Sequence, residues 1–315
     1  MTHVFSIPLR TTFRGITVRE GMLIRGAVGW GEWSPFLEYD SEVAAPWLQC
    51  ALEAAAGDWP TPLRDTVPVN VTVPACSPEQ AHEIVRAGGC TTAKVKVAER
   101  GGRTLADDIA RVEAVRDALG AGGLIRVDAN GGWDLDEATR AIGLLDRAAG
   151  GLEYVEQPCE SVEELAAVRR VVDVRIAADE SIRRAADPYR VRDLAAADIA
   201  VLKVQPLGGV RACLRIAEDI GMPVVVSSAV ESSIGIAAGV ALAAALPSLE
   251  HACGLATVQL LSDDVAISPL LPVDGMLAVR PVEVDDAAVA RVSASPARRA
   301  HWESRLRAVR QDLGL

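Results

Sequence analysis

The feature that most constrains this chain is a regular spacing of charges at the ends of apolar runs. Between Asp128 and Lys203, four β-like segments (124–128, 152–156, 175–179 and 199–203) each finish on an ionisable residue: Asp128, Glu156, Asp179 and Lys203. With Lys94-Val-Lys96 just upstream, successive charges stand roughly 23 to 32 residues apart, the length of a strand, a helix and their turns. An apolar run ending in a charge, with a helical pattern behind it, puts each charge at the carboxyl end of a parallel strand. In a βα barrel those ends form one rim, so residues dozens of positions apart converge on one site.

The flanking sequence completes such a barrel. Val69-Asn-Val-Thr-Val supplies a first strand, with a helix over 77–87 behind it, and Ala93-Lys-Val-Lys-Val97 a second. Alternation turns Lys94 and Lys96 the same way. Helices are expected over 104–119, 134–148, 185–196, 209–220 and 231–246, and Ser161-Val-Glu-Glu is a capping box opening another. Pro223-Val-Val-Val-Ser-Ser228 reads as a seventh strand and Cys253-Gly-Leu-Ala-Thr257 as a weaker eighth. The fold class is therefore α/β: a modified (β/α)8 TIM barrel over 67–265. Before it, short β segments punctuated by Gly and Pro, then a helix over 40–56, make an antiparallel sheet with one helix. Residues 1–66 are expected to form a capping domain of α+β type, on which the C-terminal segment, 266–315, packs.

Composition bounds the partners. A net charge of −11 repels nucleic acid and anionic membrane surfaces, which leaves a small molecule as the partner. The longest apolar run, 234–246, is too short to span a bilayer and stops at Pro247. Six scattered cysteines without a Cys-x-x-Cys pair read as reduced thiols of a cytoplasmic protein. Met1-Thr-His-Val-Phe-Ser-Ile-Pro8 has no basic stretch followed by an apolar run, so no export is expected.

Asp128, Glu156 and Asp179 are hard oxygen ligands on neighbouring strand ends, suited to Mg²⁺, with Mn²⁺ as a substitute. Strands two and six of an eight-strand barrel lie opposite each other, so Lys96 and Lys203 face across the mouth. A lysine confined near a divalent cation loses proton affinity and can act as a general base. A metal on a substrate carboxylate beside such a lysine defines removal of an α-proton to give an enediolate. Lys94 serves either in catalysis or as a fixed positive charge. Arg126 and Asn130 alternate onto the same face as Asp128, fit to orient ligands and substrate.

With these residues in view, the chain resembles the enolase superfamily, in the muconate-lactonizing-enzyme-like subgroup. The resemblance rests on Gly29-Trp-Gly31-Glu32, Lys94-Val-Lys96, Arg126-Val-Asp128-Ala-Asn130, Glu156-Gln-Pro158, Asp179-Glu180-Ser181, Lys203-Val-Gln-Pro206 and Ser227-Ser-Ala-Val-Glu-Ser-Ser233, and covers nearly the whole chain. It is nearest the branch that dehydrates a succinyl-hydroxycyclohexadiene carboxylate in menaquinone biosynthesis. The resemblance implies that Lys96 takes the α-proton and protonates the departing hydroxide on the same face. It implies that Lys203 stabilises the enediolate from the other face, and that Asp128, Glu156 and Asp179 hold the metal. Ser227, Ser228 and the backbone of Gly254 would receive the succinyl carboxylate. N-succinylamino acid racemase, dipeptide epimerase and muconate cycloisomerase activities use the same two lysines. A dipeptide epimerase of this subgroup would carry Asp-x-Asp where Cys253-Gly-Leu-Ala-Thr257 stands. His251, the one candidate for a late histidine base, precedes the eighth strand. A Schiff-base aldolase would need Lys203 without the carboxylates.

Overall fold

The N-terminal alternation folds as a three-stranded antiparallel sheet, Thr2–Phe13, Ile16–Arg25 and Trp30–Trp33, in chain order. The computed structural model describes residues 1–99, 104–183 and 188–315. The first two strands join through Arg14 and Gly15, both left-handed (φ 49° and 77°), with Phe13 paired to Ile16. Two left-handed residues give the hairpin the twist of its strands. The helix Ser41–Ala56 starts on Asp40, whose side chain accepts from the Val43 N–H, and ends on left-handed Gly57. It lies so close to the sheet that a Cβ on Gly31 would sit 1.8 Å from the Ala51 carbonyl oxygen.

Seven strands, Val71–Val73, Thr92–Lys96, Leu124–Asp128, Val155–Glu156, Ile176–Ala178, Ile199–Lys203 and Val224–Ser227, form one sheet in sequence order. All neighbours are parallel. Residues such as Val95, Val127 and Val155 face the helical shell and are fully buried, as sheets covered on both faces require. The eighth strand is a stitch: Gly254 bridges Ser227 and Cys253 bridges Val69, which closes the barrel between its last and first strands. Capping boxes at Ser77, Thr104, Asp134 and Ser161 open four outer helices. The helix expected over 185–196 begins outside the described residues, and within them only Arg190–Asp193 is helical. The apolar run forms Ser233–Ala245, buried on nearly every side, and among the described residues no helix is long and apolar enough to cross a membrane.

Beyond the barrel, Met276–Ala278 pairs antiparallel with Thr66–Pro68. The last helix, Pro296–Asp312, sets Trp302 edge-on to Trp33, ring centres 5.4 Å apart and both side chains fully buried. Arg298 and Trp302 both bond the Glu20 carboxylate. The tail therefore shares a core with the N-terminal sheet.

A buried polar cluster registers this cap on the barrel. Glu32 accepts from Ser34 Oγ (2.7 Å) and from the backbone N–H groups of Ser232 (3.1 Å) and Gly235 (3.2 Å), at the start of the apolar helix. Gln205, two residues past Lys203, receives the Ser34 N–H at 3.3 Å. Burial pushes Glu32 up to about 7, against the pull of Ser232 and Arg19. A raised carboxyl pKa means that the folded chain holds an extra proton between the ordinary carboxyl range and about 7. Its contribution to stability is full at low pH and is lost as pH rises through that window. Urea denaturation from pH 5 to 8 should show a decline to which Glu32 contributes on the order of 3 kcal/mol, and Glu32→Gln should remove that share and leave the share of any other raised carboxyl; an unchanged slope would contradict the assignment.

Candidate active site

Strand ends and alternation bring the charged residues together inside the barrel mouth. Lys96 is registered beside Asp128, and Asp128 beside Glu156. Lys94 Nζ lies 3.1 Å from both Glu156 oxygens and 3.4 Å from Asp128 Oδ2. Lys96 Nζ donates to Asp128 Oδ2 at 2.5 Å and to Asn130 Oδ1 at 2.9 Å. Across the mouth, Lys203 Nζ meets Asp179 Oδ2 at 2.5 Å. Asp128, Glu156 and Asp179 are completely buried, and the three lysines nearly so.

Burial sets the titration of this cluster. It acts to lower Lys94, but Glu156 and Asp128 reverse that and hold the ammonium well above the usual lysine range. Lys96 is lowered to about 8, chiefly by burial, with the charges of Lys94 and Arg14 adding to it and Asp128 opposing. Glu156 is pushed up to about 7 by burial and the Asp128 charge, against Lys94. For Asp128, burial is outweighed by Lys96 and Lys94, and for Asp179 by Arg183 and Lys203, so both stay well below the usual carboxylate range. Two lysines two positions apart thus diverge under the same burial, because Lys94 meets both Glu156 and Asp128 while Lys96 has only Asp128, which it shares with Lys94.

Two clefts meet at Lys96. The inner one is lined by Lys94, Lys96, Lys203, Ser227, Ser228 and Gly254, with Phe13, Tyr39 and Phe36 of the cap over it. The outer one, about 790 Å³, runs past Asn130 and Glu180 to Ser161. A Cβ on Gly254 would fall 2.7 Å from Ser227 Oγ, so a side chain there would displace the serine hydroxyl from the cleft wall. The Gly254 N–H is taken by the Val226 carbonyl at 2.8 Å, and its carbonyl accepts from Ser228 Oγ at 2.7 Å. The Gly254 backbone, expected to receive the succinyl carboxylate, lies in the wall of the inner cleft with its N–H and carbonyl both bonded to protein groups.

Arg126 does not reach the mouth. Alternation sets its face correctly, but two residues before Asp128 is about 7 Å deeper along the strand. Its guanidinium binds Glu153 (2.5 and 2.9 Å), the Tyr154 hydroxyl (2.8 Å) and the Ala252 carbonyl (2.7 Å), and is completely buried. It plugs the barrel below the site, its guanidinium engaged by protein groups where it was expected to face ligands and substrate. His251 joins that plug, its Nδ1 2.7 Å from Glu153, and is no late-strand base.

Several site residues escaped the sequence reading. Arg183 lines the inner cleft and donates to Asp179 Oδ1 at 2.8 Å, one helical turn further on. Gln157, left-handed at φ 42°, takes the Asp179 and Ser181 N–H groups on its Oε1 and so ties the fourth strand end to the fifth. Phe13 lays its ring 5.4 Å from Lys96 Nζ. The available signal was the Phe13-Arg14-Gly15 turn, a hairpin tip long enough to reach the barrel.

The donor set fits a hard divalent cation: three completely buried carboxylates without a soft ligand among them. Lysine ammoniums stand between these oxygens, and among the described residues no group of three His, Cys, Asp or Glu is preset to chelate. Asp128, Glu156 and Asp179 would hold the ion once those ammoniums part from them.

A barrel mouth with lysines on opposite walls and carboxylates between them is the site of an enzyme that ionises a carbon acid beside a carboxylate. Residues 77–283 match the enolase C-terminal domain-like family and residues 4–55 the enolase N-terminal domain-like family. The chain belongs to the o-succinylbenzoate synthase family within the enolase superfamily, a divalent-metal-dependent group. It is 65% identical to the o-succinylbenzoate synthase of Thermobifida fusca over 98% of this chain and 95% of that one. It is 57% identical to that of Mycolicibacterium smegmatis, over 96% and 93%. Among solved structures it is similar to muconate lactonizing enzyme from Pseudomonas fluorescens, with a TM-score of 0.80 and 22% identity over 93% and 98% of the two chains, which speaks to fold alone.

Replacing the plug tests its separation from catalysis. Arg126→Met strands the buried Glu153 charge and should cost about 3–5 kcal/mol in denaturant unfolding. KM of the folded fraction should be unchanged, and a raised KM with intact stability would return Arg126 to the substrate.

Proposed function

We propose that the dehydration of a succinyl-hydroxycyclohexadiene carboxylate to o-succinylbenzoate, a step of menaquinone biosynthesis, is carried out here by Lys96 and Lys203 on opposite faces of the bound ring. The observation that carries this is their placement: both ammoniums line the inner cleft, each 2.5 Å from a different strand-end carboxylate. Lys96 as a neutral amine takes the proton from the ring carbon that bears the carboxylate. The electron pair left behind delocalises toward that carboxylate. As the neighbouring C–O bond breaks, the hydroxyl leaves with the bonding pair and takes the same proton back from Lys96, so water departs from one face and the ring becomes aromatic. The lowering of Lys96 toward neutrality makes its amine available as a base. Lys203 offers positive charge to the opposite face.

Mg²⁺, or Mn²⁺ in its place, held by Asp128, Glu156 and Asp179, would supply charge against the ring carboxylate. Lys94, kept protonated by Glu156 and Asp128, acts electrostatically and takes no proton. Ser227 and Ser228 form the wall that meets the succinyl arm. Residues 1–66 with 266–315 serve as the cap and 67–265 as the catalytic barrel. All six cysteines are free and buried, which suits the reducing cytoplasm. Racemase, epimerase and cycloisomerase readings use the same lysines but lack the support that the full-length synthase relatives give.

Lys96→Ala should lower turnover by about 10²–10⁴-fold with the circular dichroism spectrum intact. Turnover near that of the parent would remove Lys96 as the base. Chelation should stop the reaction and excess Mg²⁺ restore it, and activity indifferent to chelator would exclude metal assistance.

A further inference from the structure

A chain of polar contacts links Lys96 to the hairpin tip of the cap, and the chemistry above makes no use of it. Lys96 Nζ donates to Asn130 Oδ1 at 2.9 Å, and Asn130 Nδ2 donates to Glu180 Oε1 at 3.3 Å. The same Glu180 oxygen receives Arg183 Nη2 at 2.5 Å, and Arg14 Nη1 stands 3.8 Å from it. Asn130 is fixed at its backbone: it is left-handed, φ 48°, and its N–H donates to Asp128 Oδ1 at 3.0 Å. What remains free is which way its amide faces.

An amide offers a donor on one side and an acceptor on the other, whereas a carboxylate only accepts. Glu180 therefore selects the orientation that turns NH2 toward itself and the oxygen toward Lys96. In that orientation a neutral Lys96 spends an N–H on Asn130 and keeps its lone pair for the substrate. With the amide reversed, its N–H would donate into that lone pair. With Lys96 as the base, the reading proposed above, we infer that Glu180 is a positioning residue that aims the Lys96 lone pair through Asn130. Arg14, on the hairpin of the cap, steadies Glu180 and so ties the seating of the cap to the alignment of the base. Glu180 has a side chain only 12% exposed and lines the outer cleft beside Asn130, where a residue that merely paired with Arg183 for helix stability would have no need to face Asn130.

The test uses the Mg²⁺-loaded full chain with α-protio and α-deuterio substrate. Glu180→Ala should lower kcat by about 10- to 100-fold with KM little changed, and should raise the deuterium isotope effect because proton removal becomes slower relative to the other steps. Mg²⁺ affinity by calorimetry should match the parent. Glu180→Gln, whose Oε1 can still accept from Asn130, should recover part of kcat. Arg14→Ala should give a smaller loss that is not additive with Glu180→Ala. Parental kcat and isotope effect in Glu180→Ala would overturn the inference, as would a loss matched by weaker Mg²⁺ binding, which would make Glu180 a support for Asp179. Lys96→Ala, run alongside, separates the two levels: if it retains turnover, the base assignment falls first.

Discussion

The structure depends on the mutual neutralisation of charges that could not be buried singly. Three carboxylates and three lysines sit inside the barrel mouth with almost no exposure to water. Any one of them alone would lose several kcal/mol of hydration, and only a partner within hydrogen-bond distance offsets that. Register and reach make the offset available: parallel pairing puts Lys96 next to Asp128, and Lys94 reaches across to both Asp128 and Glu156, the two carboxylates that the same pairing sets side by side. The same arrangement gives the lysines different characters. Lys94, facing two carboxylates, is fixed as a cation, while Lys96, drawn down by burial and further by the charges of Lys94 and Arg14, leans toward the neutral form. Catalytic readiness thus follows from how the fold balances its interior charge.

The fold class and the members of the charged ring were readable because both follow from local rules. Apolar runs covered on two faces, helix caps and a repeated spacing announce parallel strands and the places where they end. Arg126 marks where that reading stops. A period of two reports which face a side chain takes and says nothing of depth, so a residue two positions earlier looked equivalent to Asp128 and proved to be the plug beneath it. Arg183 and Gln157 were hidden for a different reason. One approaches through a short helical turn directly after a strand, the other through a left-handed residue, and neither geometry leaves a pattern in composition or spacing. That the Gly254 N–H and carbonyl are both bonded within the protein has no signature in the sequence either, because it depends on how the seventh and eighth strand ends meet.

Cap and barrel meet through polar groups as much as through apolar ones. Glu32 sits on the N-terminus of the helix behind strand seven, and Gln205 reaches the cap from just beyond Lys203. Polar contacts of this kind demand a specific alignment, whereas apolar packing tolerates sliding. A cap registered in this way can hold Phe13 over Lys96 reproducibly, and the three-stranded sheet keeps that placement because the last helix packs Trp302 against Trp33.

The closure of the barrel by a mere pair of bridges has a consequence of its own. Every other junction is a ladder, but the joint between the last and first strands is a seam held at Cys253 and Gly254. Amide protons there should be the earliest in the barrel to trade with solvent, since so few neighbours must let go together. Because that seam runs along the wall of the inner cleft, a slight parting of it enlarges the room for the arm of a ligand while the lysines on strands two and six stay where they are.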